Sequence, residues 1–260
     1  MTNKKPNVLF VVCAYAFFWI LLIAAVGVQS FNEELFSTIL PYVQIIGTWA
    51  PTIALLVLFK KLYPGLTVKE FYKKAFKERL NVKMLSVVTF VYMAMTFGFV
   101  GFAAFEKNVS FFSLLNYSFG GFIITLFSGA LGEESGWRGH LQQSTEKKYS
   151  VLKSCLIVGI IWAFWHALTW IPYIAGGMAY YIPLDMLSKV SGAFIIGICY
   201  NHSRNLLVPM WIHFVMNMVI NGVQGVIVEY IIWYILLEAL VAVGYIVWHD
   251  KSCKKVIAAV

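Results

Sequence analysis

Apolar residues fall in eight runs of roughly membrane-spanning length, and no other feature of the sequence restricts the fold as strongly. A helix needs about 20 apolar residues to cross the hydrocarbon core of a bilayer. The runs cover residues 8–28, 39–59, 84–105, 118–140, 151–172, 182–200, 206–222 and 226–248. Only 12% of the 260 residues are charged, about half of the roughly 25% found in soluble domains. The sequence therefore predicts an all-α, polytopic membrane helix bundle with about eight transmembrane helices, in one integral-membrane domain over residues 1–260.

The basic residues predict how this bundle is oriented. If the N-terminus is inside, the segments on the cytosolic side, Lys4 and Lys5 included, hold 17 of the 20 Lys and Arg residues, in line with the positive-inside tendency. We therefore expect both termini in the cytosol. As a separate expectation, the multi-pass protein would lie in the plasma membrane of a bacterium. The net charge of +8 comes from these short segments, so it indicates the lipid bilayer as a partner and not nucleic acid.

The longest basic segment, residues 60–83, has the pattern of an amphipathic helix. Phe71, Ala75, Phe76 and Leu80 recur near helical spacing, opposite a row of lysines. A basic amphipathic helix is expected to lie on the anionic inner leaflet. A solvated connector whose charges fix the topology is the alternative.

Ionisable side chains inside the apolar runs are the candidates for function, because burying them in a membrane is costly. The fourth run ends with Glu133, Glu134 and Arg138. Glu134 and Arg138 are spaced i,i+4, so they predict a structural ion pair along one helix face. Glu133 is rotated about 100° from Glu134. It does not share the arginine, which makes it a candidate general base.

Two further pairs have the same i,i+4 spacing. Trp162 lies one turn before His166, where the indole can orient the imidazole. His213 and Asn217 present an imidazole and a carboxamide side by side, a combination suited to stabilising an oxyanion. At a helical rise of about 1.5 Å per residue, Glu133 and the two histidines lie at similar depths below the inner ends of their runs. They can therefore meet in the inner half of the bilayer. Such a site needs water from the cytosolic side, because lipid holds none.

Three ordered motifs carry a family resemblance. E-E-S-G-W-R-G at 133–139, W-x-x-x-H at 162–166 and H-x-x-x-N at 213–217 resemble the motifs of the CAAX-protease and bacteriocin-processing family of intramembrane endopeptidases. This family, also called Abi, includes the type II CAAX prenyl proteases. The resemblance covers about residues 118–225, while the first three runs support it only by hydropathy.

The resemblance implies an endopeptidase acting on a membrane-associated substrate, either a lipidated protein tail or a peptide precursor such as a bacteriocin leader. It implies that Glu133 activates the attacking water with help from His166. His213 and Asn217 would stabilise the tetrahedral oxyanion. The alternative is a noncatalytic membrane protein for bacteriocin self-immunity or scaffolding, since immunity roles have been attached to Abi proteins.

No cofactor is favoured, although zinc stays open. The family has been argued to be metal-dependent and also glutamate-dependent. Glu133, His166 and His213 could hold zinc, but H-E-x-x-H is absent and the ligands would come from three separate helices. We favour the metal-free glutamate interpretation.

The sequence departs from the family pattern in two places. Many relatives have a proline shortly after the second-motif histidine, where this chain continues with residues 167–169, Ala-Leu-Thr. Residues 140–143, His-Leu-Gln-Gln, are more polar than the stretch expected after the first motif. Both changes could alter the shape of the site and therefore substrate choice.

Two other groups inside or near the runs have no part in these motifs. Asp185 and Lys189 are spaced for an i,i+4 pair at the outer edge of the sixth run, and we expect that pair to be structural. Glu238 lies deeper, within the last run. Its simplest role is a hydrogen bond to a neighbouring helix.

Overall fold

The computed structural model describes residues 5–258, so Lys4 of the predicted orientation lies outside the described residues. The predicted all-α bundle is confirmed, and no strand occurs in the described range. The α-helices in chain order are α1 (Lys5–Gln29), α2 (Glu33–Thr48), α3 (Ala50–Val57), α4 (Phe59–Leu62), α5 (Val68–Ala75), α6 (Val82–Glu106), α7 (Phe119–Thr125), α8 (Leu131–Gly136), α9 (Gln143–Glu146), α10 (Val151–Trp165), α11 (Ile171–Ala175), α12 (Ile182–Ser203), α13 (Leu207–Asn221) and α14 (Gln224–Ala258).

Four helical stretches of the described chain are individually long and apolar enough to cross a membrane. They are Pro6–Gln29, Val82–Glu106, Ala179–Ser203 and Glu229–Lys254. Two bent pairs, α2 with α3 at 48° and α10 with the helical stretch Ala167–Ala175 at 53°, raise the number to six if each pair forms one span. Each of the eight predicted runs contains helix, but the fourth and seventh do not meet the length criterion. The seventh, α13, has 15 residues and so a length of about 22 Å, shorter than the hydrocarbon core.

The fourth run is not one helix, because its backbone breaks between α7 and α8. Ser128 has an extended conformation, and Gly129 has φ +83° and ψ −79°, a region that glycine enters without the steric cost of a Cβ. The Phe127 carbonyl, freed by this break, accepts a hydrogen bond from the Trp49 indole at 3.0 Å. Irregular backbone at membrane depth is tolerated where protein or a cavity surrounds it, so this break marks an internal position.

Helix α8 lies in the interior of the bundle. It packs against α3 on one side and contacts α13 on the other. A Cβ on Gly136 would lie 2.6 Å from backbone atoms of Pro51, so the absence of a side chain permits the close approach of α8 to α3. Through π-helical residues Trp137–Gln142 and α9 the chain then continues to a turn, after which α10 runs back along it. This hairpin carries the first two motifs.

The expected basic amphipathic helix is present as α5, but protein covers its apolar face. A capping box between Thr67 and Glu70 starts the helix. Phe71 and Ala75 are buried in the protein core, and the Leu206 amide donates to the Ala75 carbonyl at 2.8 Å. The prediction that this face lies on lipid is therefore wrong at Phe71 and Ala75. It failed because hydropathy cannot distinguish a lipid surface from a protein surface.

Candidate active site

The Glu133 carboxylate is held from one side by two indoles. Its Oε2 atom accepts hydrogen bonds from Trp137 Nε1 at 3.1 Å and from Trp162 Nε1 at 2.6 Å. The side chain is 3% exposed. Because both indole hydrogen bonds go to Oε2, the carboxylate is fixed in one orientation with Oε1 directed elsewhere.

Glu134 joins two helices through one oxygen. Its Oε1 atom accepts from Arg138 Nη1 at 2.8 Å, which is the ion pair expected from the spacing, and from His213 Nδ1 at 2.7 Å. The three side chains are buried, and the Arg138 guanidinium lies 5.0 Å from the centre of the Trp162 ring. The second contact fixes the His213 ring so that Nε2, and not Nδ1, is available to the site.

Three of the four predicted catalytic residues surround one point beside Gly129. A Cβ placed on that glycine would lie 3.1 Å from Asn217 Nδ2, 3.2 Å from His213 Nε2 and 3.4 Å from Glu133 Oε1. A point about 3 Å from a candidate base and from oxyanion donors is where a reacting atom can sit. We call it the reaction point. Glycine at 129 leaves it open, since a larger residue would occupy it.

His166 is placed beside this group but is not joined to it directly. It forms the C-terminal cap of α10, at the 53° bend. Its Nδ1 donates to the Trp162 carbonyl at 2.8 Å, and the two rings meet edge to face. Within the described part of the chain, no hydrogen bond links His166 to Glu133. Trp162 therefore connects them, with its indole on Glu133 and its carbonyl on His166.

Comparison with known proteins gives matches that include the three motifs. Residues 115–219, which include all the predicted site residues, match the family model described as Type II CAAX prenyl endopeptidase Rce1-like. Over this range the chain is similar to the CAAX proteases. A protein of Methanococcus maripaludis named CAAX prenyl protease 2 is 25% identical over 211 residues, which cover 73% of this chain and 74% of that protein. The resemblance predicted from the motifs is confirmed, and it supports a CAAX-type protease embedded in the membrane.

Sequence reasoning missed two residues of the candidate site, Trp137 and Gly129. Trp137 is four residues after Glu133, so the i,i+4 rule could have identified its hydrogen bond. Gly129 is four residues before Glu133, but a glycine in an apolar run gives no indication that the helix breaks there. Its contribution depends on atoms of α13, more than 80 positions later.

The three candidate zinc ligands do not form a metal-binding group. Among the described residues, no set of three or more His, Cys, Asp and Glu side chains is arranged to hold a metal ion. Glu133, His166 and His213 therefore do not fit zinc in this arrangement. No step below uses a metal, and the glutamate interpretation stays a prediction.

The two other ionisable groups noted in the sequence make intrahelical or interhelical contacts. Lys189 donates to Asp185 at 2.8 Å, the i,i+4 pair expected from the spacing. Glu238 accepts from Tyr92 at 3.0 Å and from Ser188 at 2.6 Å. These bonds connect α14 to α6 and α12, so Glu238 makes the interhelical hydrogen bonds that its position in the last run suggested.

Proposed function

We propose that the protein is an intramembrane endopeptidase in which Glu133 activates water for attack on a peptide bond, with no metal taking part. The observation that carries the proposal is the convergence of Glu133 Oε1, His213 Nε2 and Asn217 Nδ2 on the reaction point. A carboxylate can take a proton there, and two nitrogens can stabilise negative charge. This set supplies the parts that peptide hydrolysis needs.

The proposed reaction begins with a water at the reaction point. Glu133 Oε1 accepts one proton of that water while its oxygen bonds to the substrate carbonyl carbon. The carbonyl oxygen becomes an oxyanion, which accepts hydrogen bonds from Asn217 and His213. When the intermediate collapses, the C–N bond breaks and the proton on Glu133 passes to the leaving nitrogen. The products are a carboxylic acid and an amine, and Glu133 returns to its starting form.

The contact between Glu134 and His213 defines the form in which His213 takes part. A carboxylate oxygen is an acceptor only, so Nδ1 carries the proton in the hydrogen bond to Glu134. Nε2 then donates to the oxyanion when the ring is the imidazolium. Glu134 would stabilise that form as it develops, much as a carboxylate orients the imidazole of a catalytic triad.

His166 is proposed to act as a positioning residue for Glu133. Its hydrogen bond to the Trp162 carbonyl fixes the end of α10, and the Trp162 indole in turn holds Glu133. The help that the family resemblance ascribes to His166 would then reach Glu133 through Trp162. In this proposal His166 does not contact the attacking water itself.

The proposed substrate is a membrane-associated peptide or a lipidated protein tail. Support comes from the similar Methanococcus maripaludis protein, which is named CAAX prenyl protease 2, and from the apolar helices of the bundle. We place the protein in the plasma membrane of a bacterium, with the scissile bond presented from the predicted cytosolic side.

The test compares peptide termini by mass spectrometry in cells that make equal amounts of wild-type protein, Glu133→Gln or Glu238→Gln. Glutamine keeps the shape of Glu133 but accepts no proton, so we expect cleavage to fall by about 10²-fold or more. Glu238→Gln removes a buried carboxylate outside the site and should leave the wild-type termini in place. If Glu133→Gln yields the same termini as wild type, the mechanism is wrong. The peptide termini from all three proteins could also be the same as those from cells without the protein. If a cellular phenotype still depends on the protein in that case, a noncatalytic role replaces the endopeptidase proposal.

A further inference from the structure

Helices α6 and α14 run antiparallel, and two hydrogen bonds define their register. The Tyr92 hydroxyl donates to Glu238 at 3.0 Å, and one turn further along α6 the Thr96 hydroxyl lies 3.2 Å from that of Tyr234. A turn toward the end of α6 therefore corresponds to a turn toward the start of α14. In the opposite direction, the first turns of α6 face the part of α14 that follows Glu238.

In that direction the two helices border a groove of about 480 Å³, which we call the α6–α14 groove. It extends from Val91 and Val241 to Lys83 and Trp248, as the register requires. The helical rise between Lys83 and Val91 gives the groove a length of about 12 Å. Both helices contain stretches that are long and apolar enough to cross a membrane, so the groove lies along two predicted spans.

The walls of the groove are mainly apolar, and they leave it open to the outside of the bundle. Met84 and Val87 line it from α6, and Gly244 and Tyr245 line it from α14. Val87 is 49% exposed, and a Cβ on Gly244 would meet nothing within 4 Å. Because apolar surface is costly to hydrate, a groove of this kind that opens on a bilayer accommodates an acyl chain.

One end of the groove carries a positive charge. Asn81 and Lys83 line this end, where the chain leaves the basic segment on the predicted cytosolic side. Lys83 is exposed, and its ammonium group forms no ion pair with any described residue. Asp250, the acidic residue nearest to Trp248 along α14, does not line the groove. The charge of Lys83 is therefore available to an anionic group.

Aromatic side chains border the same end. The Trp248 ring packs on His202 of α12 with ring centres 4.3 Å apart, and it meets Tyr245 edge to face at 6.0 Å. Trp and Tyr concentrate at membrane–water interfaces, and lysine brings its ammonium to the headgroups along an apolar surface. The groove thus presents apolar, aromatic and basic groups in the order of the tail, interface and headgroup of a phospholipid.

We propose that the α6–α14 groove binds one anionic phospholipid, with an acyl chain between Val87 and Gly244 and the phosphate at Lys83. The unpaired charge of Lys83 favours an anionic lipid, because a zwitterionic headgroup carries a cation of its own and gains less from a lysine. This inference does not depend on the proposed endopeptidase function, since no residue of the groove belongs to the three motifs.

Native mass spectrometry of the full-length protein in detergent measures the affinity for the first bound lipid. The probes are dioleoylphosphatidylglycerol, which is anionic, and dioleoylphosphatidylcholine, which is zwitterionic. We expect the wild-type protein to bind phosphatidylglycerol about fivefold more tightly, the factor that one lysine near a membrane surface contributes for an anionic lipid. Equal affinities for the two lipids would overturn the proposal.

Lys83→Gln tests the headgroup contact, because it removes the charge and keeps most of the side-chain length. It should abolish the fivefold preference and leave the affinity for phosphatidylcholine unchanged. Lys69→Gln is the matched control, since Lys69 is exposed on the same predicted side but does not line the groove. An equal loss of preference in both variants would assign it to the overall positive charge of this side and overturn the site.

Gly244→Leu tests the position of the acyl chain by filling the groove. The affinity for both lipids should fall by about fourfold for each methylene group that the leucine displaces. Gly225→Leu is the control on the same helix, because a Cβ there also meets nothing within 4 Å but lies outside the groove. Val87→Phe fills the groove from α6 and serves as a second test if Gly244→Leu unfolds. Wild-type affinities in the folded variants would overturn the proposal.

The same titration separates this inference from the proposed function. Glu133→Gln should bind phosphatidylglycerol like the wild-type protein. If Glu133→Gln also cleaves like the wild type, the endopeptidase mechanism fails while the lipid result stands. A farnesylated peptide at equal concentration should not displace the lipid. Displacement would assign the groove to a lipidated substrate and overturn a phospholipid as its occupant.

Discussion

Glu134 Oε1 lies 2.7 Å from Nδ1 of His213, although the two residues are 79 positions apart. The same oxygen accepts from Arg138, so one carboxylate both neutralises a buried cation and fixes the ring that borders the reaction point. The first and third motifs are therefore coupled through a residue that the i,i+4 spacing alone would describe as half of an ion pair.

Replacing Glu134 should affect stability and rate separately. Glu134→Ala leaves the Arg138 charge buried without its partner, which costs about 3–5 kcal/mol, and the protein should unfold at a clearly lower temperature. Glu134→Gln keeps an acceptor oxygen but loses the charge. Because charge-assisted hydrogen bonds contribute about 1.5–3 kcal/mol, we expect kcat to fall roughly 10–100-fold in the folded protein. Thermal unfolding in detergent and kcat in proteoliposomes measure the two effects.

Asp185→Ala is the control for the ion pair itself. Lys189 and Asp185 have the same spacing, but their side chains are 23% and 27% exposed, and solvent-screened pairs contribute about 0–1 kcal/mol. If Asp185→Ala loses as much stability as Glu134→Ala, burial does not make the Glu134–Arg138 pair more important for stability, contrary to this prediction. Wild-type kcat in Glu134→Gln would contradict its role on His213.

Trp162→Phe tests how Glu133 is held. Phenylalanine keeps most of the ring packing but removes the N–H that donates to Glu133 Oε2 at 2.6 Å. A hydrogen bond to a charged group is worth about 1.5–3 kcal/mol, so kcat should fall roughly tenfold or more. The expected change is in kcat and not in KM, because the indole orients the base without touching substrate.

Trp165→Phe provides the comparison on the same helix. Trp165 is 0% exposed, and its indole donates to the Ala14 carbonyl at 3.2 Å and not to Glu133. This variant should lose about 1 kcal/mol of stability and keep kcat. If Trp165→Phe and Trp162→Phe lower kcat equally, general packing of α10 explains both effects.

Local spacing predicted the parts of the site that lie on one helix. Glu134 with Arg138 follows directly from 3.6 residues per turn, and so would Glu133 with Trp137. The contact between Glu134 and His213 could not be predicted in this way, because it depends on how α8 and α13 pack. Spacing placed His166 in the same region, but the bend after α10 sets its hydrogen bond to the Trp162 carbonyl.

Hydropathy predicted the positions of the helices well, but it predicted the number of membrane spans less well. Runs such as 84–105 became single long helices, because nothing in them interrupts the backbone. The run 118–140 broke at Ser128 and Gly129, since glycine permits a conformation that apolar composition does not reveal. The bend of α2 and α3 falls just before Pro51, whose missing N–H and ring interrupt a helix. Polar content pointed to these segments as candidates for function but did not predict their geometry.

Phe71→Ala tests whether α5 is docked on protein. The Phe71 ring is 6% exposed and packs in the main hydrophobic core. Truncating a buried phenylalanine costs about 3–5 kcal/mol, so the unfolding temperature should fall strongly. Phe76→Ala, on the residue that follows the same helix, is the control, because that ring is 37% exposed. Equal losses in the two variants, or none in Phe71→Ala, would favour a helix held by lipid.

Gly129→Ala should block the reaction point. The added methyl group would lie 3.1–3.4 Å from Asn217 Nδ2, His213 Nε2 and Glu133 Oε1, in the space that water and the substrate carbonyl need. We expect cleavage to fall by about 10²-fold or more, the amount that loss of general-base catalysis removes. The positive φ of Gly129 also disfavours alanine, so stability has to be measured together with peptide cleavage.

Gly177→Ala separates the backbone effect from the steric one. Gly177 has φ +72°, close to the +83° of Gly129, but a Cβ there would meet nothing within 4 Å. Gly177→Ala should lose about 1 kcal/mol of stability, the cost of a positive φ for an L-residue, and keep activity. Gly129→Ala adds the contacts of its methyl group to that cost and should lose activity. A fully active Gly129→Ala would place the reacting atoms elsewhere. Equal inactivation of both variants would assign the effect to backbone strain, because Gly177 lies in a turn outside the three motifs.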